Sequence, residues 1–322
     1  MCNAFKMYGG QMILTKEQVQ DIKKKHYLPR VVTDQTITSY IGSANNISYS
    51  LYTLLPKSTS WIYYNPNDYI DYCERYTVLS GKLQVEWPSG MDVLYPGDYI
   101  DAKVYNALLT CYAKEEVEIL LEMTTPFFER DFTEREIIHH DAKKIQEVDG
   151  YTYHHCARIR DYSIGLWKRM KPLGEGVSTL STGSYFHDIG KLAIPIDILN
   201  KVGKLTEDEW KIIKMHTTLG AEMMRNHEIE KIRRAAFIVE EHHERYDGKG
   251  YPYGLKGEEI SLEASIVSVV DAFDAMTTNR VYRDAMKIEN AIHEIKGGRG
   301  TQFNPKIVDE FLKMLEEQNN EW

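Results

Sequence analysis

Near residue 126 the hydrophobic period of this sequence changes, and a chain that changes period must change architecture. From Val31 to Thr125 apolar and polar residues alternate, as in Leu83-Gln84-Val85-Glu86-Trp87. Turn signals cut these runs at Ser80-Gly81, Pro88-Ser89-Gly90 and Pro96-Gly97. Alternation with a period of two turns one face of a strand inward, so the pattern predicts short strands packed as a small β-barrel or sandwich. The segment VEILLEMTT, Val117 to Thr125, reads as its closing strand. Beyond Pro126 the apolar spacing becomes three and four. It predicts helices over Ala157–Arg169, Glu207–Arg225, Glu228–Glu241, Ser261–Thr278, Ile288–Ile295 and Pro305–Glu317, an all-α bundle. Between the two, FFERDFTEREIIHHDAKKIQEVD is charged and mixed in sign, as a solvated helix requires. A length of 322 residues suits two domains. The expected division is a β domain at 1–126, a helical linker at 127–149 and an all-α domain at 150–322.

The net charge of −9 and the lack of a Lys/Arg block argue against a nucleic-acid polymer as partner. No apolar run is long enough to span a membrane, and the opening MCNAFKMYGGQMILTKEQVQ lacks the basic-then-apolar pattern of a secretion signal. Cys2, Cys73, Cys111 and Cys156 are scattered with no C-x-x-C pair, which disfavours a disulfide framework or a thiolate zinc site. A cytoplasmic protein without membrane contact is expected.

Two segments of the second half carry the chemistry. His187-Asp188 opens HDIGK, where a helix would put His187, Asp188 and Lys191 on one face. The pair alone says little, since His140-Asp141 recurs in the charged linker. The longer run HHERYDGKGYP, His242 to Pro252, places adjacent imidazoles at a helix end before a tight turn. Gly248 and Gly250 are expected to supply positive φ, and Pro252 to stiffen the exit.

These runs, with MHTTLG, VVDAFDAMTTNRVYR and GGRGTQFNPKIVDEF, resemble in order and spacing the HD-GYP family of HD-type metal-dependent phosphohydrolases. The resemblance covers about residues 150–312. It implies seven metal ligands: His155, His187, Asp188, His216, His242, His243 and Asp271. One ion would take His155, His187, Asp188 and Asp271, the other Asp188, His216, His242 and His243, with the two oxygens of Asp188 bridging. Imidazole and carboxylate donors suit Fe or Mn. A water shared by two such cations ionises near neutral pH and attacks phosphorus. Lys191 would touch the scissile phosphate or steady the nucleophile, and Arg280 and Arg283 would grip substrate phosphates through their guanidinium forks. Asp274 is placed behind a ligand, orienting it. Gly250, Tyr251 and Pro252 form the loop by which such a domain could dock another signalling protein. Some family members carry a Glu four residues before the first ligand histidine; here that position is Tyr151, so two metals are expected. The implied activity is hydrolysis of cyclic di-GMP to linear pGpG, and onward to GMP. The alternatives are the same chemistry on 3′,3′-cyclic GMP-AMP or another nucleotide, or a non-catalytic cyclic-dinucleotide receptor or adaptor.

In the first half, ERYTVLSGKLQV and GMDVLYPGDYID resemble the two cupin motifs of a double-stranded β-helix, with Glu74, Gly81, Gly90, Pro96-Gly97 and Asp98 in place. The cupin metal histidines are missing: no H-x-H precedes Glu74, and Asp101 stands at the later position. A cyclic-nucleotide-binding β-roll is the rival reading, but no Arg lies in Ala102–Ala113 to cradle a phosphate. The implied role is a regulatory or dimerising β domain, open to a small ligand, in a homodimer.

Overall fold

The computed structural model describes Glu17 and residues 30–33, 35–63, 73–104, 107–149, 153–171, 176–278 and 285–320. Tyr151, Arg280 and Arg283 therefore lie outside the described residues. The chain separates into two compact units, residues 1–133 and 134–322.

The first unit is built of antiparallel strands. One sheet has the order β1-β2-β3-β10-β5-β8: Arg30–Val32, Thr36–Ala44, Ile47–Leu54, Val117–Thr124, Glu74–Ser80 and Tyr99–Asp101. The other has the order β4-β9-β6-β7: Ser58–Ile62, Leu109–Ala113, Leu83–Trp87 and Gly90–Leu94. The predicted closing strand, β10, is central rather than peripheral, paired on one side with β3 and on the other with β5. The alternation seen in the sequence becomes a shared core. Leu54, Val78, Ile119 and Leu121 from the first sheet are buried with Leu83, Val85, Leu109 and Cys111 from the second. Each such side chain contributes about 1.5–3 kcal/mol when taken from water. Glu74, singled out by the cupin motif, is buried and accepts a hydrogen bond of 2.5 Å from the Tyr76 hydroxyl.

The helical elements are α1 (Thr125–Asp149), α2 (Tyr153–Met170), α3 (Val177–Tyr185), a 3-10 turn (Ile189–Ala193), α4 (Ile196–Leu199), α5 (Glu207–Lys214), α6 (His216–Arg225), α7 (Glu230–Arg234), α8 (Ala236–Glu241), α9 (Leu262–Thr277), α10 (Ile288–Gly297) and α11 (Pro305–Asn320). The boundary between the units falls within α1. None of the described helices is long and apolar enough to cross a membrane.

Two predicted helices are each divided in the structure. Glu207–Arg225 breaks at Met215, and Glu228–Glu241 breaks at Ala235. A further helix, α3, was not predicted. Its sequence VSTLSTGSY has poor intrinsic helix propensity, and it is held by burial of Val177, Leu180 and Tyr185. Its Gly183 lets Ile238 of α8 approach: a Cβ there would lie 2.5 Å from Ile238 Cδ1.

Candidate metal centre

The ligand residues come from helix ends and helix faces that close on one point. His155 lies on α2 and Asp271 on α9. His187 and Asp188 occupy the turn after α3, not the regular helix expected for HDIGK. Lys191 is nevertheless on the same side as Asp188, with its Nζ 2.8 Å from Asp188 Oδ2. His216 opens α6, while His242 and His243 follow α8.

Glycine at position 190 is required by close packing. A Cβ there would lie 1.8 Å from the His216 carbonyl oxygen and 2.6 Å from the Gly220 amide nitrogen. The turn bearing His187 and Asp188 therefore sits directly against the start of the helix bearing His216. In the loop after His243, Gly248 has the expected positive φ, 78°. Gly250 does not share that conformation, which corrects the expectation from sequence. Its lack of a side chain serves close approach instead, since a Cβ would lie 2.5 Å from Glu244 Cα.

Two groups of ligand atoms result, each with its members within 4.8 Å of one another: His155, His187 and Asp271, and His216, His242 and His243. Asp188 stands between them. Its Oδ2 is 3.2 Å from His187 Nε2 and its Oδ1 is 3.5 Å from His216 Nε2. His155 Nε2 and His187 Nε2 are each 3.8 Å from Asp271 Oδ1. The structure thus gathers all seven residues singled out as ligands.

The imidazoles are oriented for metal binding. Nδ1 of His187 is 2.8 Å from the Ser184 carbonyl oxygen, Nδ1 of His216 is 2.7 Å from that of Ile213, and Nδ1 of His242 is 2.7 Å from that of Val239. A ring that donates through Nδ1–H presents the lone pair of Nε2. Nε2 of His187 is shut off from water and makes no hydrogen bond among the described residues. Nε2 of His216 faces Nε2 of His242 at 3.5 Å. Two lone pairs meeting at that distance, beside carboxylate oxygens, are accommodated by a shared cation. The donor set, imidazole nitrogens with carboxylate oxygens, fits a divalent metal ion.

The electrostatics differ across the centre. Burial holds His216 below the ordinary imidazole range, and His242 well below it. Burial and the neighbouring His216 hold His243 down to about 4. These rings are kept neutral, the form that binds a metal. At His187 burial acts in the same direction, but the Asp188 carboxylate beside it prevails and raises it to about 9. Burial likewise opposes the charge on Asp188, yet Lys191 and His187 hold its carboxyl well below the usual range. Asp188 and Asp271 supply the carboxylate oxygens of the centre, each beside a ring nitrogen that a cation would share.

Asp274 lies against His155, with Oδ2 2.7 Å from its Nδ1. Burial opposes its ionisation, but hydrogen bonds from His155 and Arg158 hold it at about 2. Arg158 is a residue for which sequence reasoning gave no role. It donates through Nε to Asp274 Oδ1 at 2.5 Å and through a terminal nitrogen to Oδ2 at 3.0 Å. Its position three residues after His155, on the same face of α2, was the available signal. Glu244 was also passed over. It is buried, and its Oε1 accepts the backbone N–H groups of Tyr253 and Gly254 at 2.6 and 3.0 Å, pinning the motif loop. Within that loop the Tyr251 ring lies against His243, with centroids 4.9 Å apart and planes 30° apart. The Tyr251–Pro252 peptide is cis.

The chain is similar in sequence to known proteins. The chain is 39% identical over 180 residues to the cyclic di-GMP phosphodiesterase response regulator RpfG of Xanthomonas campestris pv. campestris, covering 56% of this chain and 48% of that protein. It is 36% identical over 222 residues to a cyclic di-GMP phosphodiesterase of Thermotoga maritima, covering 67% of this chain and 60% of that one. It is 31% identical over 218 residues to the 3′3′-cGAMP-specific phosphodiesterase 2 of Vibrio cholerae, covering 68% and 40%. The chain thus spans about half the length of these curated relatives. Residues 143–307 match the HD domain family, whose phosphohydrolases depend on metal. The chain belongs to that family, and its motif loop has the HD-GYP form.

Proposed function

We propose that this protein is a metal-dependent phosphodiesterase that hydrolyses cyclic di-GMP to linear pGpG. The observation that carries this reading is Asp188, set between two groups of ligand atoms with one oxygen toward each. His155, His187 and Asp271 would hold one divalent cation and His216, His242 and His243 the other, with Asp188 shared. Two ions of Fe or Mn suit these mixed nitrogen and oxygen donors. When bound, such ions activate water for attack on phosphorus and offset charge on the phosphoryl oxygens.

The protein's own groups do the rest. Asp274 and the three backbone carbonyls fix the rings, while Lys191 holds Asp188 and supplies a positive charge at the reacting phosphate. Arg280 and Arg283 would bind substrate phosphates. We assign the β unit a regulatory role, and the Gly250-Tyr251-Pro252 loop the docking of a signalling partner.

The substrate assignment draws on the relatives named for cyclic di-GMP, at 39% and 36% identity. A relative named for 3′3′-cGAMP, at 31% identity, keeps that dinucleotide as the second reading. Protein purified without oxygen, analysed for metal and assayed against both dinucleotides, tests the proposal. Metal-dependent pGpG formation is expected. Faster turnover of 3′,3′-cyclic GMP-AMP would favour the second reading, and no turnover of either would overturn both.

A further inference from the structure

A cyclic dinucleotide carries two phosphates and two bases, and the metal centre accounts for only the phosphate being cleaved. Besides Arg280 and Arg283, the remaining half calls for a cation and an apolar surface near the metal centre. Lys191 is committed to Asp188 at 2.8 Å. Lys214 is differently placed. It closes α5, two residues before His216, and makes no ion pair with a carboxylate among the described residues. Its Nζ lies 5.2 Å from the centroid of the Tyr251 ring, the same ring that rests against His243. It also lies 5.9 Å from the ring of Trp210, one helical turn earlier. The contact with Trp210 follows from i,i+4 spacing. The contact with Tyr251 does not, since it joins two distant parts of the sequence. Trp210 keeps 47% of its surface open to solvent, and Met215, next to Lys214 in sequence, 48%. The helix carrying both residues is fixed at its start by a capping box between Thr206 and Glu209.

We propose that Lys214 and Trp210 form the subsite for the half of the substrate that is not cleaved: Lys214 receives the second phosphate, and the open Trp210 ring stacks a base. This rests on the phosphodiesterase reading above. A lysine ammonium suits a phosphate because it is a compact charge with three rotatable donors. An aromatic face stacks any base without needing a particular hydrogen-bond pattern. Tyr251 gives the subsite its floor and ties it to the ligand His243.

The test compares two substrates on the full-length, metal-loaded protein: cyclic di-GMP, and bis(4-nitrophenyl) phosphate, which has no second phosphate. Lys214→Gln should raise KM for cyclic di-GMP about 10- to 100-fold, the loss of a charge-assisted hydrogen bond. The change with the nitrophenyl diester should be far smaller, and metal content should match wild type. Lys214→Arg should restore most of the lost affinity. Trp210→Ala should raise KM for the dinucleotide about tenfold, with Trp210→Phe close to wild type. An unchanged KM in Lys214→Gln overturns the proposal. So does an equal loss on both substrates accompanied by lost metal, which would make Lys214 a support for Tyr251 and His243 only. Wild-type protein that cleaves the nitrophenyl diester but no cyclic dinucleotide would overturn the substrate reading and this subsite together. Active wild type with an unaffected Lys214 variant would overturn the subsite alone.

Discussion

His155 and Asp274 meet across 119 positions of sequence, the ring Nδ1 2.7 Å from the carboxylate Oδ2. The same carboxylate takes two hydrogen bonds from Arg158, so a ligand ring, an acid and a guanidinium form one connected unit. Removing the acid frees the His155 ring to rotate and leaves Arg158 without this partner. Asp274→Ala should weaken metal affinity about 10- to 100-fold, the usual cost of losing the group behind a ligand histidine. Metal titration followed by competition with a chelator reads this directly. Wild-type affinity would show that the contact does not orient His155.

Asp188 places one oxygen toward each group of ligands, so its loss should affect both. Asp188→Ala is expected to abolish bound metal and turnover together. Lys191→Ala should keep the metal and lower kcat by about 100- to 1,000-fold, as for other fixed charges that act on a transition state. Elemental analysis beside steady-state kinetics separates the two outcomes. Near-normal activity in Asp188→Ala would overturn the bridging role.

Gly190 offers a test of packing that involves no ligand atom. An added methyl would meet the His216 carbonyl oxygen at 1.8 Å, and backbone cannot move aside as a flexible side chain would. Gly190→Ala should destabilise the helical unit by about 3 kcal/mol, the upper part of the range for overpacking. Metal bound through His216 should fall with it. Thermal unfolding with and without added metal measures both, and an unchanged melting temperature would show that the turn yields without cost.

All seven proposed ligands lie in the second unit. A fragment of residues 136–322 should therefore bind metal alone, at the stoichiometry of the full chain. The β unit expressed alone should bind none. A stoichiometric ion in residues 1–126 would overturn the view that the missing cupin histidines leave that domain without a metal.

Candidate ligands could be picked out from sequence because HDIGK and HHERYDGKGYP hold unusual residues at fixed short spacing, and the rest followed from the family resemblance. The β unit was also legible, since alternation maps directly onto a face. Helix boundaries were harder. Apolar spacing runs through Met215 without interruption, so periodicity alone joined α5 to α6, although the structure ends one and begins the other there. The helix α3 was invisible for the opposite reason: its Ser, Thr and Gly residues oppose the helix, and only packing in the folded unit imposes it. Glu244 sits inside HHERYDGKGYP and Arg158 one helical turn after His155, but their partners, the backbone of residues 253 and 254 and the Asp274 side chain, lack side-chain identity or are far away in sequence.

The carbonyl oxygens of Ser184, Ile213 and Val239 each lie in the final turn of a helix, three residues before the histidine they hold. A helix has too few of its own N–H groups for the carbonyls at its end. Here imidazole takes their place, so each helix must stop where it does for the ring to point correctly. Substitutions that lengthen α3, α5 or α8 by a turn would strengthen the helix and claim that acceptor, turning a gain in local order into a loss of coordination. In this centre the short, interrupted helices are the means by which the imidazole rings are aimed, and selection for longer ones would work against the chemistry.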